Sequence, residues 1–284
     1  MLSAICYGLI PLFVLPLNRI GFPLDSTLFY RFSLAALFLL GFLMYRRESL
    51  RVTGREMSVL LVLGVLFALS SELLFLGYTH LSPGIASTVM FIYPLVVAVI
   101  MAIGFREKLT LRTALCLGIT LLGVCLLSIK DDSFSINGLG LTVTVLCAVC
   151  YAVYIVVVNK ARISGSGAKI SFYSMVFSAL YYLLKIVLTG NELAQPSVPI
   201  IGYISLFALV TTLVSILALV IAIRLIGSTR AAISGALEPV VAVLISVLLF
   251  GEAFTWSLFV GMILIVFGVV WVLLDQPKIG RAHV

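Results

Sequence analysis

The sequence predicts an all-α integral membrane protein, with ten transmembrane helices arranged as two inverted five-helix repeats. Three observations predict it. The 284 residues are 63% hydrophobic and 10% charged, with a mean hydropathy of +1.28. A soluble domain carries roughly 25% charged residues, so this chain lacks the polar surface to cover a water-facing globule. Second, apolar runs follow one another from end to end, each long enough to cross a hydrocarbon core of about 30 Å as a helix rising ~1.5 Å per residue. Lipid offers no partner to unpaired backbone groups, so the runs read as helices. Third, the chain resembles itself: "TVMFIYPLVVAVI" (88–100) returns as "ISGALEPVVAVLI" (233–245), and Tyr93-Pro94 stands 145 positions before Glu238-Pro239.

Taken in order, the predicted spans are 2–18, 26–45, 57–79, 84–104, 110–129, 138–159, 168–189, 200–223, 228–250 and 254–274. The first, opening "MLSAICYGLIPLFVLPLN", has no basic leader and runs straight into the apolar stretch. It reads as a helix rather than a cleaved signal. The connections are short and leave no soluble domain. With the N-terminus in the cytoplasm, 14 of the 18 Lys and Arg fall on the inner side, in the segments around 46–55, 106–112, 160–169, 224–230 and 278–281. Arg19, Lys130 and Lys185 stay outside, and Arg31 lies within a span. Excess basic charge marks cytoplasmic loops, which predicts that both termini are cytoplasmic, in a bacterial inner membrane.

The self-similarity extends over the whole chain. "AICYGLIPLF" (4–13) lies on "AVCYAVYIVV" (148–157), and "FYRFSLAAL" (29–37) on "FYSMVFSAL" (172–180). Ala86, Pro94, Glu107, Thr110 and Gly123 match Ala231, Pro239, Glu252, Thr255 and Gly268. Residues 1–129 and 138–274 are therefore read as two five-helix repeats, followed by a short cytoplasmic tail, 275–284. An odd number of spans per copy sends the second copy into the membrane from the opposite side, the architecture of many secondary transporters.

Several function classes drop out. The formal charge of +7 and pI near 9.3 are accounted for by basic inner loops, so no nucleic acid partner is predicted; the partners are the lipid bilayer and a small-molecule substrate. Nothing in the sequence sets an oligomeric state. Cys6, Cys116, Cys125, Cys147 and Cys150 all fall in apolar runs and read as small buried hydrophobes. Two histidines, His80 and His283, leave no histidine-rich metal site, and no cofactor is predicted. A membrane-embedded enzyme finds no H-E-x-x-H, no paired intramembrane aspartates and no nucleophile with a nearby histidine. No P-loop is present, so ATP is not used by this chain. A channel-like facilitator is the reading that sequence leaves beside a carrier.

Polar groups inside spans point to a pathway. Glu238 stands nine residues into its helix, ~14 Å deep by the helical rise. Pro239 has no N–H to give the Gly235 carbonyl, so that carbonyl is expected to be free to face a cavity. A carboxylate and a loosened turn at mid-membrane suit a binding cavity or gate; a protonated Glu beside a packing kink is the plain alternative. Pro11, Pro94, Gly235 and Pro239 are the expected hinge positions. Tyr7, Tyr93, Tyr151 and Tyr154 are candidate cavity walls, Tyr151 and Tyr154 sharing one helical face. Glu72 is open to three uses: a substrate amine, a coupling proton, or a pair with Arg31. Arg31 either snorkels outward or points inward and offers a forked donor to a carboxylate. Glu107 and Glu252, at helix–helix turns, read as structural.

"FREKLTLRTALCLGITLLGVCLL" (105–127) and "FGEAFTWSLFVGMILIVFGVVWVLL" (250–274) resemble the closing motif of each repeat in the EamA family of the drug/metabolite transporter superfamily. "YTHLSPGIASTVMFIYPLVVAVI" and "IRLIGSTRAAISGALEPVVAVLI" resemble the same family's small-residue helix ending in a proline. The resemblance covers nearly the whole chain. It implies the ten-helix inverted-repeat fold and a role as a metabolite or amino-acid carrier, leaning toward export. Tyr7-Gly8 departs from the Trp-Gly of many relatives, which bears on the substrate rather than the fold.

Overall fold

The structure, a computed structural model, describes residues 1–81, 86, 89–107, 110–127, 137–161, 163, 166–250 and 255–274. All regular structure among these residues is helical. In chain order the helices are α1 (Leu2–Gly8), α2 (Ile10–Arg19), α3 (Leu24–Tyr45), α4 (Gly54–His80), α5 (Tyr93–Phe105), α6 (Leu111–Leu127) and α7 (Gly138–Lys160). Then come α8 (Gly167–Thr189), α9 (Val198–Phe207), a π-helical stretch (Ala208–Val214), α10 (Ser215–Ile226), α11 (Ser228–Ser234), α12 (Leu237–Phe250) and α13 (Trp256–Leu274). Among the described residues, six stretches are long and apolar enough to cross a membrane: Leu2–Arg19, Leu24–Tyr45, Gly54–His80, Gly138–Lys160, Gly167–Thr189 and Val198–Ile226. Shorter apolar helices accompany them, among them Tyr93–Phe105. Parts of the expected spans 84–104, 110–129 and 254–274, with Glu252 and the tail 275–284, lie outside the described residues.

Polar caps mark the helix ends. Thr53 and Glu56 form a capping box at α4, the Thr53 amide donating to Glu56 Oε2 at 2.8 Å. The Asn137 side chain accepts from the Leu139 amide at 2.9 Å and opens α7. Ser166 caps α8, whose far end closes on Gly190 in the left-handed region. The N-terminal caps satisfy amides, and the Gly190 closure carbonyls, that the helix itself leaves unpaired.

Four expected helices are interrupted, the 84–104 span by a turn at Phe91 and Ile92 before α5. The first breaks at Leu9, between α1 and α2. The 200–223 span carries the π-helical stretch in its middle. The 228–250 span turns at Gly235 and Ala236 before resuming as α12. The hinge prolines all sit just after a break: Pro11 is the second residue of α2, Pro94 the second of α5, and Pro239 the third of α12. A proline belongs in a first turn, where its missing N–H has no intrahelical acceptor. The Gly235 carbonyl, expected to be free, is not: it accepts the Glu238 amide at 2.8 Å. The turn tightens there, so an amide three residues on takes the place that Pro239 leaves.

The longest interhelical seams are α6–α13, α4–α7 and α3–α8. On the first, Gly123 faces the Gly261 carbonyl and Gly268 faces Thr120; a methyl added at Gly123 would stand 2.8 Å from the Gly261 oxygen. Small residues at such seams let backbones approach. α4 and α8 are tied along their length: Ser178 Oγ donates to the Gly64 carbonyl at 2.9 Å and Tyr182 Oη to the Ala68 carbonyl at 2.8 Å. The loop between α3 and α4 is clasped onto the start of α8. Glu48 accepts the Ser166 amide at 2.8 Å, Lys169 donates to the Arg51 carbonyl at 2.5 Å, and Tyr173 donates to the Leu50 carbonyl at 2.6 Å. Burial pushes the Glu48 carboxyl up, but the Ser166 bonds together with Lys169 and Arg46 outweigh it and hold Glu48 below its ordinary value.

Candidate functional site

Three helix ends and one continuous helix converge on one place. α1 ends one residue after Tyr7, α5 begins at Tyr93, α12 begins one residue before Glu238, and α7 passes with Tyr151 and Tyr154. The rings form a continuous wall. Tyr7 stacks on Tyr151 with centroids 6.1 Å apart, and Tyr93 meets Tyr151 edge-on at 4.9 Å. Tyr151 stacks on Tyr154 at 6.3 Å, and Tyr154 leans on Phe67 at 5.3 Å. The Tyr93 hydroxyl donates to the Ala232 carbonyl at 3.1 Å, which fastens α5 to the broken turn. Gly235 has to lack a side chain, because a methyl there would collide with that hydroxyl. Gly8 serves the α1–α12 approach in the same way, lying against the Glu238 carbonyl and Val241.

This wall closes one end of a cavity of about 370 Å³, bounded also by the start of α1 and the apolar face of α10. Tyr7, Tyr93, Tyr151, Gly235 and Glu238 line it. The Glu238 side chain makes no hydrogen bond to a described residue. It is a carboxylate presented to a mostly apolar space, with Ser3 and Ser234 as further polar lining. Tyr154 is fully buried behind Tyr151 and does not line the cavity. The described residues hold no cluster of His, Cys, Asp and Glu of the kind that binds a metal ion.

Arg31 and Glu72 lie apart from this cavity. Arg31 does not snorkel: it is 0% exposed. Its Nε donates to Thr212 Oγ1, and its guanidinium lies 4.4 Å from the Phe207 ring centre and 5.5 Å from that of Phe32. Glu72 does not pair with Arg31. It accepts Lys185 Nζ at 2.7 Å and Tyr181 Oη at 2.8 Å, while Lys185 also reaches Asp25 at 2.8 Å. Asp25 and Lys185 face a second hollow of about 490 Å³ beside Pro23, Ser26 and Glu192. Sequence reasoning missed Lys185 as a partner because it lies near a helix end and was counted with the outer cations. Its spacing from Tyr181, four residues on one helical face, was the available signal. It also missed Thr212, whose position depends on a π-helical stretch that hydrophobic periodicity does not register.

An apolar helical bundle with an internal, solute-sized cavity defines an integral membrane protein equipped to bind a small molecule. The profile of the EamA-like transporter family matches residues 1–129 and 138–274, and the chain belongs to that family. It is 25% identical over 255 residues to the uncharacterized transporter YyaM of Bacillus subtilis, covering 86% of this chain and 83% of that one. It is 27% identical over 226 residues to the uncharacterized inner membrane transporter YicL of Salmonella typhimurium, covering 78% and 75%. A solved crystal structure superposes with a TM-score of 0.81 over 96% of this chain and 94% of its own, at 17% identity, which shows the fold.

Proposed function

We propose that the chain is a secondary carrier that exports amino acids or related small metabolites across a bacterial inner membrane by alternating access. Ten crossings in two inverted five-helix repeats make up this reading. The helix seams support it, because they occur in pairs that exchange under the repeat. The α4–α7 seam has its counterpart in α1 against α10, and α5–α7 in α1 against α12. The α4–α8 seam has its counterpart in α3 against the π-helical stretch, while α3–α8 and α6–α13 map onto themselves. A pseudo-two-fold between the halves has these consequences.

The observation that carries the functional reading is the cavity wall. Tyr7 and Tyr151 are repeat mates, as are Tyr93 and Glu238, and three tyrosines and a carboxylate from these positions meet at broken helices. Broken helices meeting at a shared site are the usual binding arrangement of inverted-repeat carriers. With the N-terminus cytoplasmic, the cavity's lining by Met1, Leu2, Leu225 and Ile226 puts its mouth on the inner side, where an exporter loads. Its volume falls within the ~300–1,000 Å³ of small-molecule sites. Aromatic walls and Glu238 suit the apolar side chain and ammonium group of an aromatic or branched amino acid. A phosphate ester would call for several converging cations, and Arg31 is alone at that depth. Glu72, held by Lys185 and Tyr181, serves this reading less directly than Glu238.

The test compares bacteria with and without the protein. Expression should raise extracellular aromatic or branched amino acids and tolerance to their toxic analogues. Release of only sugar phosphates or nucleotides would overturn the substrate class.

A further inference from the structure

The Arg31 guanidinium is the most deeply placed cation of the bundle, and it is half satisfied. Its Nε is held by Thr212, but neither terminal nitrogen, Nη1 nor Nη2, has a partner among the described residues. Leaving a charged fork buried and unpaired costs several kcal/mol, so a fold does not retain one without a use. The repeat mate of Arg31 is Ser174, which occupies the matching helix position without a charge. The acidic groups of the bundle do not neutralise it. Glu72 and Asp25 are taken by Lys185, and among the described residues no carboxylate hydrogen-bonds to Arg31.

The surroundings fix how the fork points. Phe207 and Phe32 lie against the guanidinium, and Thr212 tethers its Nε edge. What is left is the edge bearing two parallel N–H donors, which matches a carboxylate bidentately. Thr212 reaches it from the π-helical stretch Ala208–Val214, and such local changes of helical pitch concentrate at functional sites. Tyr7 lines the Glu238 cavity, and its helix, α1, packs against the π-helical stretch that holds Thr212.

We propose that Arg31, oriented by Thr212, is a binding site for a single carboxylate, closed off in this conformation and reached when Tyr7 moves. Resting on the carrier reading, the carboxylate is the substrate's own end, with the ammonium at Glu238. Glu238 and Arg31 then select a zwitterion by holding opposite ends on opposite sides of Tyr7.

The site is tested by thermal unfolding of the purified, detergent-solubilised protein with increasing sodium phenylacetate, against sodium chloride at equal ionic strength and against phenethylamine. Phenylacetate should stabilise the wild type saturably and beyond chloride. Arg31→Gln should abolish the response. Arg31→Lys, which keeps charge without a fork, should weaken it about tenfold, roughly 1.4 kcal/mol. Glu238→Gln should leave the phenylacetate response intact and remove any phenethylamine response. Thr212→Val keeps the cation and its packing, and should weaken the midpoint severalfold even if Arg31→Gln does not fold. An unchanged midpoint in Arg31→Gln or in Thr212→Val, or equal stabilisation by chloride, overturns the site. If phenylacetate binds through Arg31 while no amino acid moves in the export comparison, the carboxylate site stands and the amino-acid reading falls.

Discussion

Gly235 and Tyr93 act as one device. The glycine gives the Tyr93 hydroxyl room to reach the Ala232 carbonyl, and that bond holds α5 against the turn presenting Glu238. Gly235→Ala should therefore destabilise the protein by about 1–3 kcal/mol, the usual cost of overpacking. Adding Tyr93→Phe should recover part of the loss, because it removes the atom the methyl meets first. Thermal unfolding of the single and double variants checks this; an additive double variant would separate the two residues. Much at this scale was legible in the sequence. An acid and a proline inside an apolar run, repeated in register as Tyr93-Pro94, pointed to this turn. The fate of the Gly235 carbonyl was not legible. A proline tells which amide is missing, whereas the Glu238 amide that replaces it depends on how tightly the turn closes.

At the scale of the helices, α8 is fastened at both ends, to α3 and α4 at one and to the α3–α4 loop at the other. At one end, Lys185 bridges Asp25 of α3 and Glu72 of α4. Lys185→Met leaves two carboxylates facing each other, while Lys185→Met with Glu72→Gln leaves one. The double variant should thus be more stable than the single, by up to about 1 kcal/mol for a partly exposed network. Equal melting temperatures would show that the two carboxylates do not repel once Lys185 is gone. At the other end, the Glu48 carboxyl holds the Ser166 amide. Its folded value lies below the ordinary carboxylate range, so its contribution is complete above that range and fades as pH falls through the lowered value. Glu48→Gln should speed amide exchange at the start of α8 near neutral pH, measured by mass spectrometry. Wild type and variant should converge in acid; a gap that persists there would assign the clasp to Lys169 and Tyr173 alone. Span positions were readable because each apolar run matches a helix length. The π-helical stretch was not, since residues 208–214 are as apolar as their neighbours and carry no proline or glycine.

At the scale of the whole molecule, the proposed orientation rests on the distribution of Lys and Arg, and the proposed architecture on the self-similarity of the chain. A cysteine introduced at Ser49 should resist an impermeant thiol reagent in intact cells, and one at Glu192 should react. The reverse pattern would invert the bundle and put the mouth of the cavity on the outer face. The cavity itself was only partly legible. Repeat register placed Tyr7 with Tyr151 and Tyr93 with Glu238, but did not say that Tyr154 would stand behind the wall or that Arg31 would be buried on Thr212, apart from the cavity lining. Those facts depend on crossing angles and on breaks at Leu9 and Gly235, which no period in the sequence encodes.

The central claim is a carrier whose pathway runs through the cavity at Glu238. Counterflow in liposomes tests it most directly, with purified protein, unlabelled aromatic and branched amino acids inside, and a labelled trace outside. The wild type should show saturable uptake that overshoots equilibrium, and Glu238→Gln, at equal incorporation, should lower the initial rate by about tenfold or more, ~1.4 kcal/mol. Flux that rises linearly with concentration and never overshoots, or a Glu238→Gln protein that exchanges like the wild type, would contradict the account.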